Sequence, residues 1–313
     1  MSASAARDDG RPVGGTPLVR LKHLSPSPAV EIWAKLEWLN PTGSVKDRVA
    51  EAMVEEARST GLLGPGTRLV EPSSGNTGIA LARIARREGL DLTVLVPDNV
   101  SNERLDLLRA WGANVVLTPG EEGTNGSISR ATDLAAEGGH LMLFQYGNPA
   151  NPWAHETGTG PEILGSLDRV DAFVAGLGSG GTLMGVGKAL RQVHPSAQIV
   201  AAEPPVGETV AGLRSLDDGY IPPVFNPTAI DARILVRTED AVAMTRRLLS
   251  EEGLFAGVSS GAAAHAAARW AQRLDEGVVV TVFPDSGAKY LSSRLWSGTL
   301  DEAVRRLGTQ LYF

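Results

Sequence analysis

From residue 67 onward the chain alternates short β-rich runs with stretches of helical pattern, and this alternation limits the folds open to it. "TRLVE" (67–71), "LTVLVP" (92–97), "ANVVLT" (113–118) and "LMLFQY" (141–146) read as strands. A second series follows at "DAFVAGL" (171–177), "AQIVAAE" (197–203), "ARILVRT" (232–238) and "GVVVTVF" (277–283). Between them lie helical stretches such as "GIALARIARREG" and "SNERLDLLRAW", with others over 181–193, 239–252 and 260–274. Strands separated by helices of this length predict parallel sheets with right-handed crossovers. The expected class is α/β, with "PANPWAHETGTGP" (149–161) as the best junction between two domains. A cleft between two α/β domains is the default place for a ligand.

Composition narrows the function classes. A chain of 313 residues suits two domains or one large one. A net charge of −7 argues against nucleic acid, whose binding needs a basic face. There are no cysteines, so disulfides, thiolate metal sites and a cysteine nucleophile are excluded. The five histidines show no metal-ligand spacing. "MSASAARDDG" lacks an apolar core and no apolar run is long enough to span a bilayer, so a cytoplasmic protein is expected.

The 36 glycines matter for where they cluster. "SSGNTG" (73–78), "GLGSGGT" (176–182) and "GVSSGAA" (257–263) each sit between a strand and a helix. In a parallel sheet such loops lie at the carboxyl edge, where ligands bind. "GLGSGGT" offers several backbone N–H groups at a helix start, suited to a phosphate. Gly176, Gly178 and Gly181 also satisfy a dinucleotide fingerprint, with Glu203 ending the next strand, so an NAD-dependent oxidoreductase is a competing reading. Lys46 helps to separate the two. It follows the loop "NPTGS" where a helix opens, and a nicotinamide site has no use for a lysine there. A pyridoxal phosphate site needs a lysine amine, a nest of N–H groups and a partner for the pyridine nitrogen. "PDSGAKY" (284–290) places Ser286 just past a strand, where a hydroxyl can meet a ring nitrogen. Asp47 and Arg48 are simplest as helix-start electrostatics.

Together "NPTGSVKDR", "EPSSGNTG", "GLGSGGT" and "PDSGAKY" resemble, in order and spacing, the signature segments of fold-type II pyridoxal-phosphate enzymes, specifically cysteine synthases. The resemblance extends, more weakly, over nearly all of the chain. It implies two doubly wound α/β domains with parallel-rich sheets and the active site in the cleft between them. A smaller, mobile domain would span 40–148, and a larger one 8–39 and 149–313. The implied activity is replacement of the β-substituent of O-phosphoserine or O-acetylserine by a sulfur nucleophile, through an aminoacrylate, to give L-cysteine. Lys46 would be the Schiff-base lysine and Asn76 would bond the cofactor's 3′-oxygen. Gly178, Ser179, Gly180, Gly181 and Thr182 would hold its phosphate and Ser286 would face its ring nitrogen. Ser73, Ser74, Thr77 and Gln145 would bind the substrate carboxylate; Ser73 stands where the family often has threonine. "EPPVGETVAGLRSLDDGYIPPVFNP" resembles B-type enzymes, closest to actinobacterial O-phosphoserine sulfhydrylases, with Arg214 recognising the leaving group. "GTQLYF" is similar to their short C-terminal tail, which can fold into the active site. The resemblance also implies a homodimer and a sulfur donor, either a small molecule or a protein thiocarboxylate. An NAD-dependent oxidoreductase and a non-catalytic ligand-binding member of the fold remain as alternatives.

Overall fold

Two separate sheets build the molecule, and their topologies explain why one cleft collects the loops. The computed structural model describes residues 12–73 and 75–308. The first sheet has the order β1 (Leu18–Arg20), β2 (Val30–Leu36), β10 (Gly277–Phe283), β7 (Ala172–Gly176), β8 (Gln198–Glu203), β9 (Ala232–Leu235). The second has the order β5 (Asn114–Thr118), β4 (Leu92–Pro97), β3 (Arg68–Pro72), β6 (His140–Met142), all parallel. Among the described strands β1 alone pairs antiparallel, against β2.

Ten α-helices accompany them: α1 (Lys46–Ser59), α2 (Asn76–Glu88), α3 (Asn102–Ala110), α4 (Gly123–Ala136), α5 (Ala150–Ala154), α6 (Gly160–Leu164), α7 (Gly181–Val193), α8 (Thr238–Glu252), α9 (Val258–Ala271) and α10 (Leu300–Gly308), counted among the described residues. They cover both faces of each sheet, so alternate strand residues enter different cores. Ala172 and Val174 join one core, Phe173 and Ala175 the other. Leu69 and Val70 divide in the same way between the cores of the second sheet. Burial on both faces is why these strands read as continuous apolar runs rather than alternating ones.

Strand order places the ligand edge. In the first sheet the chain winds from β7 outward through β8 and β9, then returns to lay β10 on the other side of β7. In the second it winds from β3 through β4 to β5, then returns with β6 beside β3. Each reversal opens a crevice at the carboxyl ends of its central strands. The loops after β3, β6, β7 and β10 therefore converge.

One expected strand is shorter than its apolar run. The run 141–146 stops being a strand after Met142, because Phe144 takes φ +55°. The Glu71 carboxylate accepts the N–H groups of Phe144 (2.8 Å) and Gln145 (3.1 Å), gripping the turn. A non-glycine residue at positive φ is uncommon, and here it lifts Gln145 out of the sheet. Burial pushes the Glu71 carboxyl up to about 7 against those two hydrogen bonds. Glu71→Gln leaves one N–H facing an amide nitrogen. Loss of a bond to a charged acceptor predicts about a tenfold weaker substrate KM, measured by steady-state kinetics.

Candidate active site

The segment 40–48 is shaped before it reaches its lysine. Gly43 turns at φ +78°, Ser44 bridges to Asp285, and the Val45 N–H donates to the Pro284 carbonyl at 2.8 Å. Asp47 accepts from the Thr42 N–H (3.1 Å) and hydroxyl (2.8 Å), closing the loop onto the first turn of α1. Arg48 lies in a buried cluster, donating to Glu37 and Glu162 at 2.7 Å each. Asp47 and Arg48 are thus committed to shaping the loop and anchoring α1. Lys46 is left lining the cavity beside Asp285. Burial brings its amine down to about 8, against the opposing pull of the Asp285 carboxylate.

The cavity encloses about 800 Å³ of empty space including its open mouth. Ser73, Asn76, Thr77, Gln145, Gly178, Ser179, Gly180, Thr182 and Arg214 all border it. Gly181 starts α7 directly behind the loop and does not border the cavity itself. Ser74 lies outside the described residues, as does the tail 309–313.

The phosphate loop is built for an anion. Gly180 sits at φ +86°, and a Cβ there would meet the Phe225 ring at 2.7 Å. A Cβ on Gly181 would meet Asn151 Oδ1 at 1.9 Å, and one on Gly178 the Gly212 carbonyl at 2.8 Å. Side chains are therefore excluded, so a ligand can approach the backbone at the start of the thirteen-residue α7, where the Gly181 N–H donates to Ser179 Oγ at 3.4 Å. Asn151 ties this loop to the other sheet, donating to Ser179 Oγ (2.9 Å) and the Gln145 carbonyl (2.8 Å). His155, buried in a π-turn at His155–Thr159, pairs with Thr159 at 2.9 Å and Thr182 at 3.2 Å. Burial, with nearby Lys46 and Arg48, holds its pKa well below the ordinary histidine value, so it is neutral.

The described residues of the loop after β3 are held by hydrogen bonds. Ser73 Oγ accepts the Gly78 N–H at 3.0 Å, capping α2 while bordering the cavity. Thr77 donates to Gln145 Oε1 at 2.7 Å, joining the loops after β3 and β6. Asn76 donates to Asp285 Oδ2 at 2.8 Å and accepts from the Lys289 amine at 2.6 Å.

Two expectations change. Ser286 does not border the cavity: its hydroxyl caps the following turn, accepting the Ala288 N–H at 3.2 Å. Ser259, on the first turn of α9, borders it instead and is buried. The "GVSSGAA" loop was the signal for it. The dinucleotide reading loses its acidic partner, since buried Glu203 accepts the Leu216 N–H at 3.0 Å and pairs with Arg233. Leu213 also fills the space beside Gly176, 2.4 Å from where a Cβ would stand. Asn151, Arg104, Tyr146, Asp285 and Lys289 were not singled out from the sequence. Their roles come from packing.

These features fit pyridoxal phosphate: a glycine cradle for its phosphate and a buried amine in the same cavity. No cluster of metal-ligating side chains occurs among the described residues, and no described helix is long and apolar enough to cross a membrane.

The pattern typical of pyridoxal-phosphate-dependent enzymes matches residues 11–285. A cysteine synthase from Staphylococcus aureus is 45% identical over 295 residues, 91% of this chain and 95% of that protein. The crystal structure of an O-ureido-L-serine synthase is 39% identical with a TM-score of 0.86, covering 92% of this chain and 94% of the other. That of a cysteine synthase from Entamoeba histolytica is 31% identical with a TM-score of 0.86, covering 99% of both. With its cradle, buried lysine and paired switch points, the chain belongs to the family of pyridoxal-phosphate-dependent enzymes.

Proposed function

We propose that this protein is a cysteine synthase that replaces the β-substituent of O-phosphoserine, and secondarily O-acetylserine, with a sulfur nucleophile. The observation that carries the reading is the meeting of Lys46, the glycine cradle and the Ser73–Thr77 loop in one cavity. Similarity to the Staphylococcus aureus and Entamoeba histolytica cysteine synthases supports it. Bound pyridoxal phosphate supplies an electron sink that acidifies the substrate's Cα–H. Gly178 to Thr182 hold the phosphate and Asn76 meets the ring's 3′-oxygen. Ser73, Thr77 and Gln145 hold the substrate carboxylate at the amino end of α2, where amide dipoles favour an anion. Lys46 would hold the cofactor, and its amine would remove the Cα proton and later return it. Arg214 meets the leaving phosphate. The part spanning 40–148 moves as the smaller domain and excludes water as it closes. A homodimer is supported by exposed Trp153, set in an apolar groove with Pro149, Pro152 and Met184. The direct test is L-cysteine formation from O-phosphoserine and sulfide by the purified, cofactor-loaded protein. Absence of product with both O-phosphoserine and O-acetylserine sinks the reading.

Ser259 takes the pyridine nitrogen, replacing the role first expected of Ser286. A neutral hydroxyl there keeps the ring a moderate electron sink, favouring β-elimination over transamination. Ser259→Asp is expected to change the visible absorption of the loaded enzyme and cut kcat about ten- to a hundredfold. Ser286→Asp should do neither. The opposite pattern in side-by-side spectra would return the role to Ser286.

A further inference from the structure

We propose that Lys289 is a positioning residue: it fixes the Asn76 side-chain amide in one orientation and so aims an Asn76 N–H into the cofactor cavity. The inference rests on Asn76 meeting the cofactor, as proposed above. Asn76 is held between two partners of opposite capability. On one side the Asp285 carboxylate takes its N–H at 2.8 Å; on the other the Lys289 amine donates to its Oδ1 at 2.6 Å. An ionised carboxylate only accepts and an ammonium only donates, so a flipped amide loses both bonds at once. The amide nitrogen carries two hydrogens. Asp285 takes one, and the other is left for the cavity that Asn76 borders.

Lys289 is itself constrained. Its side chain is buried, with Cε and Nζ 3.8 and 3.9 Å from where a Cβ on Gly43 would stand, in the loop that leads to Lys46. Asp285 is pinned in turn by the Tyr290 hydroxyl at 3.0 Å. Burial lowers the Lys289 amine to about 8, against Asp285, so it is still mostly protonated, and a donor, near neutral pH. A charged donor on Oδ1 also polarises the amide and strengthens its N–H groups as donors. The arrangement spans 213 residues of sequence and joins α2 to the turn after β10.

A purely structural lysine, one that only buttresses the loop at Gly43, would act independently of Asn76. The experiment compares Asn76→Ala, Lys289→Met, the double variant and Lys289→Arg in the cofactor-loaded enzyme. It reads the wavelength and intensity of the visible band and the dissociation constant for pyridoxal phosphate. We expect Lys289→Met to shift the band in the same direction as Asn76→Ala and to weaken cofactor binding about tenfold. It should add nothing in the Asn76→Ala background, and Lys289→Arg should restore the wild-type spectrum. If Asn76→Ala changes the spectrum while Lys289→Met does not, or the two effects add, Lys289 has no hold on Asn76 and the proposal falls alone. If Asn76→Ala leaves the spectrum unchanged, the Asn76 contact is wrong and the proposal falls with it. Should the methionine variant not fold, Lys289→Ala, which also removes the donor, decides: a shift toward the Asn76→Ala spectrum supports the assignment and none overturns it.

Discussion

Lys46→Ala is expected to lower turnover by about 10²–10⁴-fold through loss of the proton-transferring amine alone. The visible band that depends on covalent attachment of the cofactor should be lost as well. A variant that keeps that band and full turnover would remove Lys46 from the chemistry. The amine's burial gives a second, independent signature in the cofactor-free protein. Its folded-state pKa is about 8, below the ordinary 10.5. Between those values the unfolded chain binds more protons, so stability rises with pH across this window. Below pH 8 the full penalty for burying the charge is present. Lys46→Met keeps the volume and removes the charge, so at pH 7 it should stabilise the cofactor-free protein by up to about 3 kcal/mol. The gain should fade as pH approaches 10.5. Thermal unfolding across pH 6 to 11, on both proteins without cofactor, checks the sign. A gain independent of pH would mean the amine is not the cause.

Arg214→Ala is expected to depress kcat/KM for O-phosphoserine about ten- to a hundredfold, the worth of a charge-assisted contact, and to leave O-acetylserine nearly untouched. The side chain borders the cavity, with its guanidinium 5.0 Å from the Tyr146 ring centre and 4.8 Å from that of Tyr220. Two aromatic faces hold the planar group ready, so little ordering entropy is lost when an anion arrives. The Arg214 N–H donates to the Leu177 carbonyl at 2.8 Å, which ties its loop to the end of β7. Of the two carboxylates that would make Arg214 an ordinary surface pair, Asp217 and Asp218, the first binds Arg233 at 2.7 Å. A phosphoryl group carries about two negative charges and an acetyl ester none, so the effect must discriminate between them. Parallel kinetics on both substrates settle it. Equal losses would make Arg214 structural, and no loss for either would remove it from substrate recognition.

The chain's order of strands and helices, and the residues that fall in local motifs, were determined by sequence alone. Strands β3, β4, β7, β8 and β10 were legible because both-face burial demands unbroken apolar runs of Val, Ile, Leu and Ala, and the partly exposed edge strands β5 and β9 were legible from their Val, Ile and Leu content. Lys46, Asn76 and the Gly178–Thr182 loop were legible because a glycine turn leaving a strand and opening a helix is a local device. The short edge strand β1 passed unread, since three residues carry too little periodicity. Tertiary structure decided what depends on distant partners. The run 141–146 breaks because Glu71, more than seventy residues earlier, grips two of its amides. Ser259 borders the cavity and Ser286 does not, because Ser286 closes a turn on Ala288 while the start of α9 meets the cleft. Asp285 and Lys289 acquire their roles only where the turn after β10 packs on α2, 209 and 213 residues from Asn76. Local pattern records how a residue meets its neighbours in the chain; which donor meets which acceptor across the cleft is set by the packing of the two sheets.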